Sequence, residues 1–371
     1  MMNSRTRSHI SKKVLGVLAM TVAAVTFAAS APASSFAASD SNGGPTIQNP
    51  GGIEETHSPG GVPSGAVGPE RGSGASEAIN AILYAYTHPG AAVKGVNDFS
   101  CKPAKGTRPL VLVPATLSSV YMNWAYYAPK LKAKGLCLYS FNYNPLVLSK
   151  ANNTQIEGAG FTGDIKSSAA FMAGFVNKVL ASTGAKKVDL LGHSQGGGPL
   201  PRAYIKYFGG NKKVHSLVGM NPSNKGSTLY GLSTFLKWLE DRHLINGVYT
   251  GDDPAVIDTN KLFEDINFQG EWQQAQGSPF LTDLNDEGMT VKGIKYTVIA
   301  TRNDEVVVPW TNTFLDGASA NTTNIVVQNV CPDEKSGHIG AAYDPVYFQL
   351  AFNALYPNQA SKVECGSGMP F

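Results

Sequence analysis

The sequence predicts an α/β fold, a mostly parallel central sheet with helices on both faces. Two observations carry that reading. From about residue 76 onward, short apolar runs alternate with stretches whose apolar residues recur at helical spacing, and strands separated by helices pair in parallel. One of those runs, Val188-Asp-Leu-Leu191, also passes without a break into Gly192-His-Ser-Gln-Gly196. A strand that ends in glycines around one serine turns sharply into the next element.

The first expected helix begins near Ser76, where Ile79, Ile82, Leu83 and Tyr86 repeat at helical spacing. Pro109-Leu-Val-Leu-Val113 reads as the opening buried strand, a helix runs from about Asn123 to Ala133, and Leu136 to Phe141 is the next strand. Met172, Phe175, Val176, Val179 and Leu180 form one helix face, which Gly184 ends. After the serine turn, a helix carries Tyr204 and Tyr207, although Pro199 and Pro201 must fall in its first turn or distort it. Val214 to Val218, Tyr296 to Ala300 and Ile325 to Val330 are the later strands. Asp344-Pro345 opens the last helix, with aspartate as cap and proline at the first helical position. Residues 226–290 separate two strands by far more than a crossover needs and contain Leu229, Leu232, Phe235 and Trp238. They are expected to form a cap or lid over one edge of the sheet.

Three segments are distinguished. Arg5, Arg7, Lys12 and Lys13 precede an uncharged apolar run from Val14 to about Ala29, and small residues near Ala33 and Ala37–Ala38 offer cleavage sites. Residues 1–38 therefore read as a secretory signal peptide; the apolar run is shorter than a membrane span requires. Residues 39–75, rich in Gly, Pro, Ser and Asn, read as a flexible arm. Residues 76–371 form the catalytic domain, and no later stretch is apolar enough to span a bilayer. The net charge of +3 owes part of its value to the first thirteen residues, so no basic patch suggests nucleic acid. Export places Cys101, Cys137, Cys331 and Cys365 in an oxidising compartment, where an even number implies two disulfides. Of three connectivities, Cys101–Cys137 and Cys331–Cys365 link neighbours in sequence.

The chemistry starts from Gly192-His193-Ser194-Gln195-Gly196, a G-x-S-x-G nucleophile elbow preceded by a strand and followed by a helix, the context of an α/β-hydrolase fold. The glycines let the chain reverse closely enough to expose the Ser194 hydroxyl, and the helix N-terminus behind it favours developing negative charge. In this fold the acid and then the base come after the nucleophile. Only His215, His243 and His338 lie after Ser194. No acid separates Ser194 from His215, and His243 is preceded only by Glu240 and Asp241 inside the cap. His338 is left as the base. Asp304, just past the strand ending at Ala300, is the preferred acid, with Glu305 and Asp283 as alternatives. His193 is read as a packing residue of the elbow. Backbone N–H groups of Gln195 and of Thr116, or alternatively Leu117, would form the oxyanion hole.

These residues resemble the secreted actinobacterial triacylglycerol lipases of the class 2 type and, more distantly, Candida antarctica lipase B. The resemblance covers most of residues 95–367. It is carried by Arg108 to Val113 with Asn123-Trp124, Val188 to Gly197, Asn221-Pro-Ser-Asn-Lys-Gly226, Ala300 to Val308, and Cys331-Pro332 with Gly337-His338. It implies Ser194, Asp304 and His338 as the triad and Thr116 and Gln195 at the oxyanion hole. The chain departs from the pattern at Pro114-Ala115, where many of these lipases have His-Gly; alanine restricts a backbone that must approach substrate closely.

The expected activity is hydrolysis of a carboxylic ester, triacylglycerol first, through an acyl-serine, by a secreted monomer acting on lipid at a lipid–water interface. Leu117, Leu229, Leu232 and Phe235 would line the acyl site. No metal or organic cofactor is implied. A short-chain or polyester esterase with the same triad is the nearest alternative, and a non-catalytic secreted binding protein the alternative from another class.

Overall fold

A computed structural model describes residues 57–149, 154–228, 264–317 and 321–370, with isolated positions between 241 and 258. All of them belong to one compact unit, Ile47–Phe371. Its centre is a six-stranded sheet: β1 (Leu110–Val113), β2 (Leu138–Ser140), β3 (Val188–His193), β4 (Val214–Met220), β5 (Lys295–Ala300) and β6 (Thr322–Val326). Every pairing is parallel, in the spatial order β6-β5-β4-β3-β1-β2. This is the α/β-hydrolase architecture.

The order reverses between β1 and β3. The chain leaves β1 outward to β2, then returns to lay β3 on the other flank of β1. Such a reversal marks the switch point of the sheet, beyond whose strand carboxyl ends open α/β sheets place their sites. Val113 is in register with Gly192, which puts the loop after β1 beside the turn after β3. Side chains alternate along each strand. Leu110, Leu112, Leu191, Val218, Met220 and Ile299 join one buried cluster with α1 (Ala75–Thr87), α2 (Val120–Trp124), α3 (Tyr127–Ala133) and the C-terminal helix. Val111, Val113, Leu190, Leu217, Val298 and Ala300 join the other, with α4 (Ile165–Thr183) and α5 (Pro199–Tyr207).

Local sequence explains the ends of these elements. Asp164 caps α4, accepting from Ser167 N, and Gly184 closes it in the left-handed conformation. The segment expected as one helix from Asn123 is two, because Ser119 caps an earlier start by accepting from Met122 N and the chain breaks at Ala125 and Tyr126. Asp344 accepts from Val346 N and Tyr347 N to open the C-terminal helix, Pro345–Leu355.

Four expectations change. Ile79 and Leu83 face outward on α1, at 47% and 46% exposure; Ala78, Ala81 and Ala85 are buried instead, small residues that let the helix approach its neighbours. The run ending at Val330 is not a strand: β6 lies earlier, and Val327–Val330 is a helical turn leading to Cys331. β-Branched residues on both sides of that boundary hide it. Residues 57–74, expected within the flexible arm, pack on the sheet unit. Gly65 N and Gly68 N donate to the carbonyls of Gly90 and Ala92, and a Cβ at Gly68 would overlap the Tyr121 ring. Finally, the C-terminal part of the 226–290 insertion belongs to the core. α6 (Gln269–Gln273) and α7 (Pro279–Asn285) lead into Met289, and Phe280, Leu281, Leu284 and Met289 are buried. The Arg202 guanidinium of α5 donates to Met289 O at 3.1 Å and Asn285 Oδ1 at 2.6 Å.

The disulfides join Cys101 to Cys137 and Cys331 to Cys365, the expected pairing. No helix among the described residues is long and apolar enough to cross a membrane.

Candidate active site

Ser194 stands at the end of β3 with φ 56, a left-handed conformation rare outside glycine and characteristic of strained functional turns. The flanking glycines make the turn possible. A Cβ at Gly192 would collide with the Gly196 carbonyl, and one at Gly196 would collide with the carbonyls of Val113 and Pro114. The chain beyond the serine is not one continuous helix. Ser194–Gly197 is a 3-10 turn, Gly198 breaks it, and α5 starts afresh with Pro199 at its first position. Both prolines thus fall where backbone N–H groups have no helical acceptor, and neither distorts α5.

His338 approaches from the loop after β6. Its Nδ1 lies 3.0 Å from both carboxylate oxygens of Asp304. Asp304 is aimed by its own loop: Oδ1 accepts from Val306 N at 3.0 Å and Val307 N at 2.7 Å. With Asp304 accepting at Nδ1, the imidazole carries its proton there and leaves Nε2 as the unprotonated nitrogen. Burial pulls the His338 pKa down, but the charge and hydrogen bond of Asp304, with Glu305 and Glu271 beyond, outweigh it. The result lies above the ordinary histidine value of 6.5.

Three side chains bond the backbone of Gly337 and His338, and only one of them is a candidate for the chemistry by sequence. Glu305 Oε2 accepts from His338 N at 2.7 Å, so the alternative acid grips His338 by its backbone. Asn221, just past β4, donates to Gly337 O at 3.3 Å while its oxygen accepts from the Tyr347 hydroxyl at 2.8 Å. His193 Nε2 donates to His338 O at 2.9 Å. Burial, then repulsion from His338, pushes the His193 pKa to about 3, so it is neutral and its Nε2 carries the proton. His193 therefore fastens the elbow to the base loop. Asp283, the distant alternative acid, instead pairs with Lys166 at 2.7 Å. His215 pairs with Asp189 at 2.8 Å.

On the other side of the crevice, Thr116 and Leu117 are half-buried and Gln195 fully buried. No described residue accepts the Thr116 backbone N–H. Gln195 N–H lies in the first turn of the 3-10 segment, where no helical acceptor exists. Ala115 does not take a positive φ, whereas Leu117 does, at 57. Alanine therefore meets no backbone strain at the position where glycine is usual, and Ala115 N is held by Asn123 Oδ1 at 2.9 Å. The Thr116 hydroxyl accepts from Gln195 Nε2 at 2.8 Å and from Gln274 Nε2 at 2.9 Å. Gln274 has no signal in the sequence, being far from every motif. Leu229, Leu232 and Phe235 lie outside the described residues. Among the described residues no group of three or more His, Cys, Asp or Glu side chains could hold a metal ion.

A strained serine at the sheet's switch point, with a carboxylate-held imidazole in the loop bonded to its elbow, is the arrangement of an α/β-hydrolase site. The family profile described as Lipase (class 2) matches residues 107–350, and the chain belongs to that family. Among solved structures it is similar to Aspergillus fumigatus lipase B, with 18% identity and a TM-score of 0.50, over 72% of this chain and 55% of that one. It thus spans about half the length of that relative. A mature Bacillus licheniformis lipase matches at 14% identity and a TM-score of 0.45, over 70% of this chain and 95% of that one. A Bacillus subtilis carboxylesterase matches at 16% and 0.39, over 68% and 85%.

Proposed function

We propose that this protein is a secreted serine hydrolase that cleaves carboxylic esters, triacylglycerols above all, through an acyl-serine intermediate. The observation that carries the reading is the Asp304 carboxylate straddling His338 Nδ1 at 3.0 Å, in a loop fastened to the elbow of Ser194 through His193. Nothing in a purely binding site calls for an imidazole held in one tautomer beside a strained serine.

The reaction follows from that arrangement. His338 Nε2 takes the proton of Ser194 as Oγ bonds to the ester carbonyl carbon. Asp304 keeps the imidazolium oriented and stabilises its charge. The carbonyl electrons move to oxygen, which accepts from Thr116 N–H and Gln195 N–H. The tetrahedral intermediate collapses, and the imidazolium delivers its proton to the leaving alkoxide. Water, activated by the same nitrogen, then releases the acid and restores Ser194.

Secretion is supported by the signal-like N-terminus and by both disulfides, which persist in oxidising compartments. A preference for medium or long acyl chains is supported by family membership and by the apolar content of residues 226–290; each buried methylene adds about 0.8 kcal/mol of binding. A fluorophosphonate probe tests the core of the reading: labelling mapped to Ser194 is expected, and labelling elsewhere or none overturns it. Turnover on p-nitrophenyl esters of increasing chain length and on emulsified triglyceride tests the substrate. A steep fall beyond short chains, with no activity on emulsion, would make the enzyme a short-chain or polyester esterase with the same chemistry.

A further inference from the structure

Helix α6 passes beside the elbow, and its residues divide by face. Gly270 N donates to Thr162 O at 2.7 Å, and a Cβ there would lie 2.5 Å from Gly163 O and 3.3 Å from Gln195 Nε2. One turn on, Gln274 reaches Thr116, and its Nε2 lies 2.9 Å from Gly270 O. Gln273 turns the other way. Its Oε1 accepts from Ile165 N at 2.8 Å and its Nε2 donates to Asp164 Oδ2 at 2.7 Å, both at the start of α4. Side chains two positions apart on a helix point nearly opposite ways. Glu271 therefore faces away from α4, on the flank it shares with Gly270 and Gln274.

Glu271 is half-buried, and no described residue donates to its carboxylate. Burial raises its pKa above the ordinary 4.5, and the charge of His338 is all that offsets the rise. The atoms beside it give no help. Gln195 is fully buried, and its Nε2 is committed to Phe161 O at 3.0 Å and Thr116 Oγ1 at 2.8 Å. A backbone carbonyl only accepts, so this amide cannot be turned round. Its Oε1 is left buried with no described donor, and Gln269 Oε1 is in the same state. The stretch around Gly270 thus gathers three acceptor groups that no described donor meets. Buried acceptors are costly to leave so, and a bound molecule can supply the donor.

Resting on the serine-hydrolase reading above, we propose that Glu271 is a specificity residue, accepting a hydrogen bond from a free hydroxyl that the substrate carries close to the scissile ester. The substrate class is the partly acylated polyol, which includes the acylglycerols left when a triacylglycerol loses its first chain. A hydroxyl fits this place better than an ammonium group. His338 becomes positively charged as it takes the Ser194 proton, and a second cation beside Glu271 would repel it. A hydroxyl satisfies the carboxylate by a charge-assisted bond and adds no charge.

The test compares two esters of matched shape, 2-hydroxyethyl butyrate and propyl butyrate, in wild type and in two variants. The readout is the ratio of their kcat/KM values within one protein. That ratio does not depend on how much enzyme is folded, nor on any effect of Glu271 on His338, because both esters share them. Glu271→Leu should lower the ratio about tenfold or more. Glu271→Gln keeps an acceptor without the charge and should lower it less; it carries the comparison if Glu271→Leu fails to fold. A packing role would slow both esters alike, and an unmoved ratio overturns the proposal. A second pair, butyrylcholine and 3,3-dimethylbutyl butyrate, differs in charge alone. If substitution collapses that ratio and spares the first, Glu271 reads a cation and the hydroxyl assignment is overturned. Fluorophosphonate labelling of Ser194 keeps the two readings apart. No labelling and no hydrolysis of any of these esters would sink the hydrolase reading, whereas labelling and hydrolysis with an unmoved ratio would sink only the role of Glu271.

Discussion

The two walls of the crevice are built from different materials. On the acid–base wall, Asp304 and Glu305 are adjacent in sequence and divide one task. Asp304 takes the His338 side chain, and Glu305 takes the His338 backbone N–H at 2.7 Å. Charge there is held by backbone donors that cannot rotate away. On the oxyanion wall, Thr116, Gln195 and Gln274 are neutral, and their contacts span up to 158 positions of sequence. Orientation there depends on side-chain amides, each fixed by a backbone carbonyl. A misplaced charge would cost far more in a buried site than a misplaced amide, so the stiffer support stands where the charge is.

The contrast can be broken most strongly at Ser194, the proposed nucleophile. Ser194→Ala should leave a folded protein with turnover reduced by about a million-fold, measured on pure protein with p-nitrophenyl butyrate. Activity above a few per cent would move the nucleophile elsewhere. On the acid–base wall, Asp304→Asn should cost roughly ten-thousand-fold, because the amide favours the wrong imidazole tautomer. If Asp304→Asn cost less than tenfold while Glu305→Gln was nearly dead, the two carboxylates would have exchanged roles.

The disulfides should separate by position rather than by strength. Each closes a loop of about 35 residues and should contribute about 3–4 kcal/mol of stability. Replacing Cys101 and Cys137 should lower the melting temperature without changing kcat in the cold. Replacing Cys331 and Cys365 should lower both, since the second bridge anchors the chain leading into His338. Equal effects on kcat from the two pairs would contradict this. The smallest expected effect is a shift in pH dependence. As the proposed base His338 must be neutral, and its raised pKa then places the acid limb of kcat/KM above 6.5, with activity rising as pH increases. Glu305→Gln removes one of the charges that raise it, so the limb should move down while the plateau changes little. An unmoved limb would mean that Glu305 acts by its hydrogen bond alone.

The sheet was legible because strands buried on both faces read as unbroken apolar runs. The elbow was legible because only glycine permits the approach of Gly192 to Gly196. Asp304 and His338 followed from chain order, since this fold fixes the sequence in which its strands deliver side chains. The illegible parts depend on contact across the fold. Ile79 and Leu83 have the right spacing to be buried, yet the alanines beside them pack more closely. Residues 57–74 look like a linker by composition, yet backbone hydrogen bonds from their glycines need no apolar side chain. Gln274 carries no local pattern at all, because its partner Thr116 is neighbouring in space only.

The base loop is also tied to the C-terminal tail. Lys335 N donates to Ser367 O, Gly337 N to Met369 O, and Met369 N to Ser336 Oγ, with Met369 buried. The strap formed by residues 366–369 lies beyond Cys365, so the Cys331–Cys365 bridge does not shield it from tension applied farther along the chain. A surface anchor attached after residue 370 would load these hydrogen bonds first, peeling the strap from Lys335, Ser336 and Gly337 before any force reached the disulfide.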